Sequence, residues 1–487
     1  MSDRLEQVEA LLAEERANAV NRQTNNVAIN ASGDHDRPGE PQPMAYDQAP
    51  RDVATNQVHL SDVELALIER YFDHCNHVFP IFSKPTFLTS MLRHSFRDGQ
   101  DEEGAAVRTS TNAMLVLALR MHAICETGNA TPGEGQATSY LERATAELST
   151  LMLAQPSLTT VQALLIIVCA MLASSDSTSK ASAVLAVAVR QAQSLGLHLL
   201  DTLTGLSPVE RMDCIRVFWC LYILDKDLGL RLCKPSLLPN DDLNVLSPRA
   251  VSDDRIGLLS SEDGELQFGM FAARQQLAKI QSAVYARLYT FNARHARQPE
   301  KACAVEQLNA ALEQWHTAWL ADERMLQQGA WSSWALVHVV RLHFAYFHTL
   351  AMANPKVPSH DEAIRSRLEQ ATLDDHAASE TLGGMPPSLL EGARTVFTAA
   401  ARTRNGDLAW LMESLRFVLP AVLIVLQATI EDPHATQARD DLERADTWIE
   451  VLRLLRSRDS GSDPDKESGV AAHLRALAER AIQNQGA

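Results

Sequence analysis

The tightest constraint in this 487-residue chain is the punctuation between residues 194 and 210, where one helical run is closed and the next opened across a short polar joint. In ASAVLAVAVRQAQSLGLH, the residues Val184, Ala188, Gln191, Ala192 and Leu195 share one face at helical spacing, and Gly196 stands where a left-handed cap ends a helix. The alanines on that face let a neighbouring helix approach closely. Beyond the joint, Ser207 is placed to cap, Pro208 fits the first helical position, and Glu210 completes a capping box by reaching back to the Ser207 amide. Ile215, Phe218, Trp219 and Tyr222 then form an apolar stripe, and Lys234-Pro235 closes the helix. Residues 181–248 are therefore expected to be two helices and a polar return.

The same grammar recurs along the chain. Ser61 and Glu64 form another capping box, followed at helical spacing by Leu65, Ile68, Tyr71, Phe72 and Cys75. Further helices are expected at about 106–125, 137–153 and 159–174. An irregular acidic stretch follows Pro248 to about Gly264, and then helices at about 266–297, 302–325, 333–353, 360–382, 388–403, 408–430 and 436–457. No segment alternates with period two, so the expected fold class is all-α: a large multi-helix domain with a disordered N-terminal linker.

These helices carry a family resemblance. LGLH at 195–198, Arg-x-Phe-Trp-x-x-Tyr-x-x-Asp at 216–225, Lys234-Pro235, and Asp-Asp-Leu-Asn-Val at 241–245 resemble, in order and spacing, the fungal-specific transcription factor domain, the regulatory middle region of zinc-cluster activators. The opening run His77-Val78-Phe79-Pro80-Ile81-Phe82 with Lys84-Pro85-Thr86-Phe87 and the run 159–165 are similar to segments of that family, and 394–431, with Trp410, Phe417 and Leu419-Pro420, is loosely so. The likeness spans about 58–430. Leu199 stands where a basic residue is usual, Arg211 and Arg216 are what remains of a basic cluster, Cys233-Lys234 replaces the usual Gly-Arg, and an aromatic residue common near 180–183 is absent. The resemblance implies a nuclear transcription regulator, plausibly of a metabolic or secondary-metabolite gene set, with a helical domain that responds to a small-molecule effector or holds protein partners.

Charge and cysteine usage shape how such a regulator would work. The net charge of −17 and the lack of a basic stripe argue against extensive phosphate contact, because DNA binding is driven largely by Lys and Arg. Direct DNA contact is therefore not expected, and partners are expected to be a DNA-binding factor or the transcription machinery, with a dimer as a further option. The seven cysteines, Cys75, Cys125, Cys169, Cys214, Cys220, Cys233 and Cys303, contain no Cys-x-x-Cys and suit reduced core thiols. His74, Cys75 and His77, or His122 with Cys125, are the nearest approach to a metal site, but each lacks a fourth ligand, so packed core residues are expected there.

Enzyme readings fail on the same inspection. Three residues beyond the pairs Asp241-Asp242, Asp253-Asp254, Asp374-Asp375 and Asp440-Asp441 stand Val245, Gly257, Ala378 and Arg444, so no Asp-Asp-x-x-Asp magnesium array exists. There is no P-loop, nucleophile elbow or His-Glu-x-x-His pair. His338, His343 and His348 recur every fifth residue, which spreads them around a helix. His77 has no nucleophile or carboxylate partner nearby in sequence. Asp225 is the most tempting residue, since a carboxylate beside an apolar stripe must be bonded; it is expected to be tied to backbone amides or to an arginine, as Arg211 and Arg216 are expected to serve structure. No catalytic, cofactor-binding, metal-binding or DNA-binding residue is assigned, and no cofactor is implied.

Four regions are expected. Residues 1–18 carry a short amphipathic coil with Leu5, Val8 and Leu12 at heptad positions that Glu15 interrupts, either a marginal helix or the remnant of a dimerisation coil. Residues 19–58 are polar and read as a disordered linker. Residues 59–457 form the helical regulatory domain, and 458–487 a flexible tail with a weak helix. The chain begins where the coil after a zinc cluster would begin, which leaves three readings: a regulator acting through partners, a truncated gene model of a DNA-binding factor, or a helical metabolite-binding protein or enzyme on the same fold. No stretch has the apolar length or signal-peptide pattern for membrane insertion or export, as the runs 161–173 and 417–426 are too short.

Overall fold

Ser61 caps a helix as the box predicts: its amide donates to Glu64 (2.8 Å) and its hydroxyl accepts from the Glu64 amide (3.3 Å). In the computed structural model, the described residues run from 60 to 456, excepting 96–100, 126–132, 175–177, 241–242, 245–255, 328, 355–385 and 403–407, with a few more between 475 and 482. The coil, the linker, the helix expected at 360–382 and most of the tail lie outside them.

Helix α1 (Asp62–Arg70) passes into a π turn (Tyr71–Cys75), and α2 (Lys84–Ser95), α3 (Glu102–Cys125), α4 (Gly133–Ala146), α5 (Leu148–Leu153), α6 (Leu158–Ala173) and α7 (Thr178–Ser194) follow. The single helix expected at 137–153 is two, broken at Glu147 (φ −90°, ψ 1°), so that the second piece can drop Leu151 into the core. Helix α8 (Pro208–Arg231) comes next, then a two-residue antiparallel ladder of β1 (Leu259–Ser260) and β2 (Gln267–Phe268) that period-two reading could not detect at such length. The helix expected at 266–297 begins only after the ladder: α9 (Met270–Val284) runs into a second π turn (Tyr285–Tyr289), and a Thr290 cap opens the short α10 (Phe291–Arg294). Helices α11 (Gln298–Trp319), α12 (Ser333–Ala353), α13 (Pro387–Arg402), α14 (Leu408–Glu431) and α15 (Ala438–Arg456) complete an all-α fold.

The helices bury two hydrophobic cores. The first gathers α1 to α8 around Leu164, Ile167, Phe218 and Tyr222; the second gathers α9 and α11 to α15 around Trp315, Phe344, Val396 and Leu426. Helix α9 belongs to both, sending Phe271 and Ala278 into the first and Met270, Ala273 and Leu277 into the second, and α3 and α8 reach the second with Met121, Ile124 and Leu230. Helix α8 is consequently buried on every side from Cys214 to Leu228, where sequence periodicity implied only a stripe. Its Phe218, Trp219 and Tyr222 rings meet edge-on or tilted at 5.1–6.4 Å, contacts that add about 1 kcal/mol each beyond burial. Among the described residues no helix is long and apolar enough to cross a membrane.

The histidines spaced by five on α12 are separated as expected. His338 Nε2 donates to the His74 carbonyl (2.9 Å), His348 meets the Phe417 ring edge-on, and His343 is buried at 4% exposure with neither ring nitrogen hydrogen-bonded. Burial pushes the His343 pKa down to about 3, with His316 adding a smaller repulsion. Because the folded state refuses a proton that the unfolded chain accepts below about pH 6.5, His343 leaves stability intact above that value and removes it progressively as pH falls towards about 3. His343→Leu is expected to escape this loss: in urea unfolding, the stability of the variant relative to the parent should rise by about 2 kcal/mol between about pH 7.5 and about pH 5. A constant difference would refute it.

Candidate functional site

The residues that carried the sequence motif converge. Helix α7 ends in a Schellman motif, with Gly196 at φ +70°, its amide donating to Gln193 O (2.9 Å) and the Leu197 amide to Ala192 O (3.0 Å). A Cβ at residue 196 would lie 2.8 Å from Thr202 Cγ2, so the turn admits glycine alone without rearrangement. Thr202 uses its hydroxyl on Gly196 O (2.5 Å) and Leu199 O (2.7 Å), winding the joint tightly. Arg211 donates to Leu203 O (3.0 Å), Thr204 O (2.9 Å) and Leu206 O (3.3 Å), binding that joint to the first turn of α8, which carries the expected Ser207–Glu210 box and Pro208. A parallel bridge then joins the two distant motif halves: the Asn244 amide donates to His198 O (3.1 Å) and the Leu200 amide to Asn244 O (3.0 Å).

Asp225 is 3% exposed, and backbone amides hold it as anticipated. Its carboxylate accepts from the Leu237 amide (2.8 Å), the Leu238 amide (3.2 Å), the Ser236 hydroxyl (2.5 Å) and Lys226 Nζ (3.2 Å). Lys226, equally buried, spends its other donors on Ser236 Oγ and Leu238 O and lies 4.6 Å over the Tyr222 ring. Burial lowers the Lys226 pKa, with Asp225 opposing the shift; burial likewise raises the Tyr222 hydroxyl to about 12. The pair and its serine form a closed polar knot that folds residues 236–240 back against α8.

At the end of α8 the chain reverses through Cys233, at φ +48°. The Lys234 amide donates to Gly229 O (2.9 Å) and the Cys233 amide to Leu230 O (3.3 Å), a second Schellman geometry with a non-glycine residue in the left-handed position. Between this reversal and α9 opens a cavity of about 300 Å³, walled by Lys234, Ser236 and Asn240 on one side and Ser282, Tyr285 and Thr290 on the other. The π turn of α9 forms the latter wall. Asn240 is the brace across it, accepting from Tyr222 Oη (2.9 Å) and donating to Ser282 Oγ (3.1 Å). Two residues farther up α8, Asp227 pairs with Arg231 (2.8 Å), and Gln281 donates to Asp227 (3.4 Å) and Thr349 (3.2 Å), tying α8, α9 and α12 together.

The other sequence candidates occupy separate places. His74 stacks on Trp334 (4.9 Å between ring centroids), His77 lies 6.3 Å from the same ring, and His122 accepts from Arg70 (2.6 Å). Burial raises the Cys75 and Cys169 thiols to about 12 and Cys214 to about 11, so these cysteines are protonated packing residues and not nucleophiles. Arg216 is buried in the first core, and Asp441 takes Arg394 in a bidentate pair (2.6–3.1 Å). The pairs at 241–242, 253–254 and 374–375 include residues outside the described part. Among the described residues no three His, Cys, Asp or Glu side chains are grouped to hold a metal ion. Sequence reading did not find Ser236, Asn240, Ser282 or Tyr285; only Lys226, adjacent to Asp225, carried a local hint of the knot.

The family model for the fungal specific transcription factor domain matches residues 68–317, from α1 through α11 and across the whole cavity. The chain belongs to this family. Among curated proteins, members named ABC-transporter-regulating transcription factor from Aspergillus fumigatus and Aspergillus oryzae are each 30% identical to it, over 86% and 85% of its length. The Fusaridione A cluster transcription factor of Fusarium heterosporum is 30% identical over 46% of this chain and 42% of its own. The chain spans about half the length of the two Aspergillus relatives, 46% of each. Within the family pattern, Cys233 stands where glycine is usual, and the left-handed backbone there explains that preference.

Two substitutions test this construction. Asp225→Ala leaves Lys226 buried without its counter-ion and the Leu237 amide without an acceptor, and is expected to cost about 3–5 kcal/mol in denaturant unfolding. Cys233→Gly relieves the left-handed strain, offset by the looser unfolded chain, and is expected to raise stability by about 0.5–1 kcal/mol; a loss would show that the thiol's packing outweighs backbone strain.

Proposed function

We propose that the protein is a nuclear transcription regulator whose helical domain takes inputs and transmits them, while base recognition is supplied by a zinc cluster outside these residues, on a partner protein or on further polypeptide. The observation that carries this reading is the family match across 68–317 together with likeness, over most of this chain, to two proteins named as regulators of ABC transporters. Likeness to a cluster-specific factor extends the proposal to a transport or secondary-metabolite gene set. The domain arrangement follows the same reading: a coil at 1–18 for pairing, a linker over 19–58, the regulatory domain over 59–457 and a tail beyond it.

The net charge of −17 supports contact with proteins in preference to phosphates. Asp225, with both carboxylate oxygens hydrogen-bonded to the loop it organises, supports a structural and regulatory role in preference to a catalytic one. The cavity beside it, bounded by helices of both cores, supports an effector-responsive domain.

The full chain fused to an unrelated sequence-specific DNA-binding module is expected to change expression of a reporter bearing that module's site by several-fold, and a fluorescent fusion to concentrate in the nucleus. A reporter indistinguishable from that of the module alone, on both an activatable and a repressible promoter, would sink the proposal.

A further inference from the structure

The hydrogen-bonding state of the cavity walls points to the chemistry of its occupant. Asp225, Lys226 and Ser236 are saturated by one another and by the loop amides and carbonyl, so they form a floor with nothing left to offer. Thr290 is similarly spent, donating to Ala286 O and accepting from the Ala293 amide. Ser282 accepts from Asn240 and is hydrogen-bonded to the Tyr222 hydroxyl, so it closes the wall and offers little more. What remains is a pair of donors. The side chains of the half-buried Tyr285 and the exposed Lys234 make no hydrogen bond or ion pair with any described residue and line the same space. The guanidinium of Arg294 lies close enough to Tyr285 to act on its hydroxyl electrostatically, against the raising effect of burial. Leu230, Pro239 and Ala286 supply apolar wall between these groups.

An ammonium and a phenolic hydroxyl, with the neighbouring carboxylate already neutralised, favour a ligand that brings acceptors and negative charge. The apolar wall favours a small carbon body behind that charge, and about 300 Å³ is the lower end of the range for small-molecule pockets. We propose that this cavity binds a small carboxylate-bearing metabolite, its carboxylate met by Lys234 and Tyr285. The inference deepens the effector-responsive reading above and rests on it. One wall belongs to the return after α8 and the other to α9 and its π turn, and both helices contribute to the two cores, so an occupant bridges two elements of the seam. The carboxylate replaces water on donors that otherwise face solvent, so binding need not disturb the knot beneath it.

The test uses the full chain and a fixed panel: benzoate, phenylacetate, 2-oxoglutarate and citrate, with benzamide and phenylacetamide as neutral counterparts, followed by ligand-detected NMR. At least one carboxylate is expected to bind, and an aromatic binder about tenfold or more tighter than its amide. Lys234→Met is expected to weaken that binding about tenfold, and Tyr285→Phe about three- to tenfold, with urea midpoints unchanged because neither side chain supports the knot. Silence from every carboxylate, amides that bind as well as acids, or full binding by Lys234→Met would each overturn the assignment. The reporter fusion separates this failure from that of the broader reading. If Lys234→Met and the cavity-filling Ala286→Phe leave the reporter's response to carboxylate supplementation intact, the site is wrong and regulation stands; a reporter that never responds to the fusion removes the regulatory reading itself.

Discussion

A buried carboxylate must be given hydrogen-bond donors, and Asp225 meets that demand by capturing the chain that follows its own helix. The Leu237 and Leu238 amides, the Ser236 hydroxyl and the Lys226 ammonium all converge on it. Once that happens the path of residues 232–240 is decided: Leu238 enters the first core, Asn240 reaches Tyr222 and Ser282, and Lys234 is left at the mouth of the cavity. Replacing the ion pair by apolar residues of similar volume would often be neutral in energy. The pair's contribution here is the direction it imposes on the return, which an apolar pair could not specify.

The two cores meet at a seam that is more polar than either. Asp227 sits there with Arg231, and Gln281 carries the contact on to Thr349 of α12. Arg274, one turn into α9, places its guanidinium 4.8 Å over the Phe79 ring, and burial lowers its pKa while Asp227 restores part of the charged form's stability. Such a seam resists sliding, since each polar group must keep a partner, yet it is less cohesive than the leucine- and alanine-rich interiors beside it. The seam is bridged by continuous helices, since α3, α8 and α9 each send side chains into both cores.

Much of the fold was legible wherever local chemistry decides local conformation. The boxes at Ser61 and Ser207, the glycine cap at 196 and the buried face of α7 follow from groups within four residues of one another, and each stands as anticipated. The break at Glu147, the π turns at 71–75 and 285–289 and the ladder at 259–268 were not legible, because they answer to what packs against them. Cys233 is instructive in both directions. Its place in the family pattern marked it as a substitution for glycine, but only the backbone shows that the substitution sits at a left-handed reversal.

By itself, the sequence determined that the chain is helical, where most helices start and stop, that Asp225 has to be tied to protein groups, and which family the motif belongs to, since these depend on periodicity, capping and the cost of burying charge. Only the tertiary structure decided that LGLH and the Asn244 strand are partners, that α8 is buried all round, and that Ser282 and Tyr285 face Lys234 across one cavity. The reason is sequence separation. Residues about fifty positions apart carry no mutual signal in a 3.6-residue pattern, and their meeting is settled by how the two cores share helices.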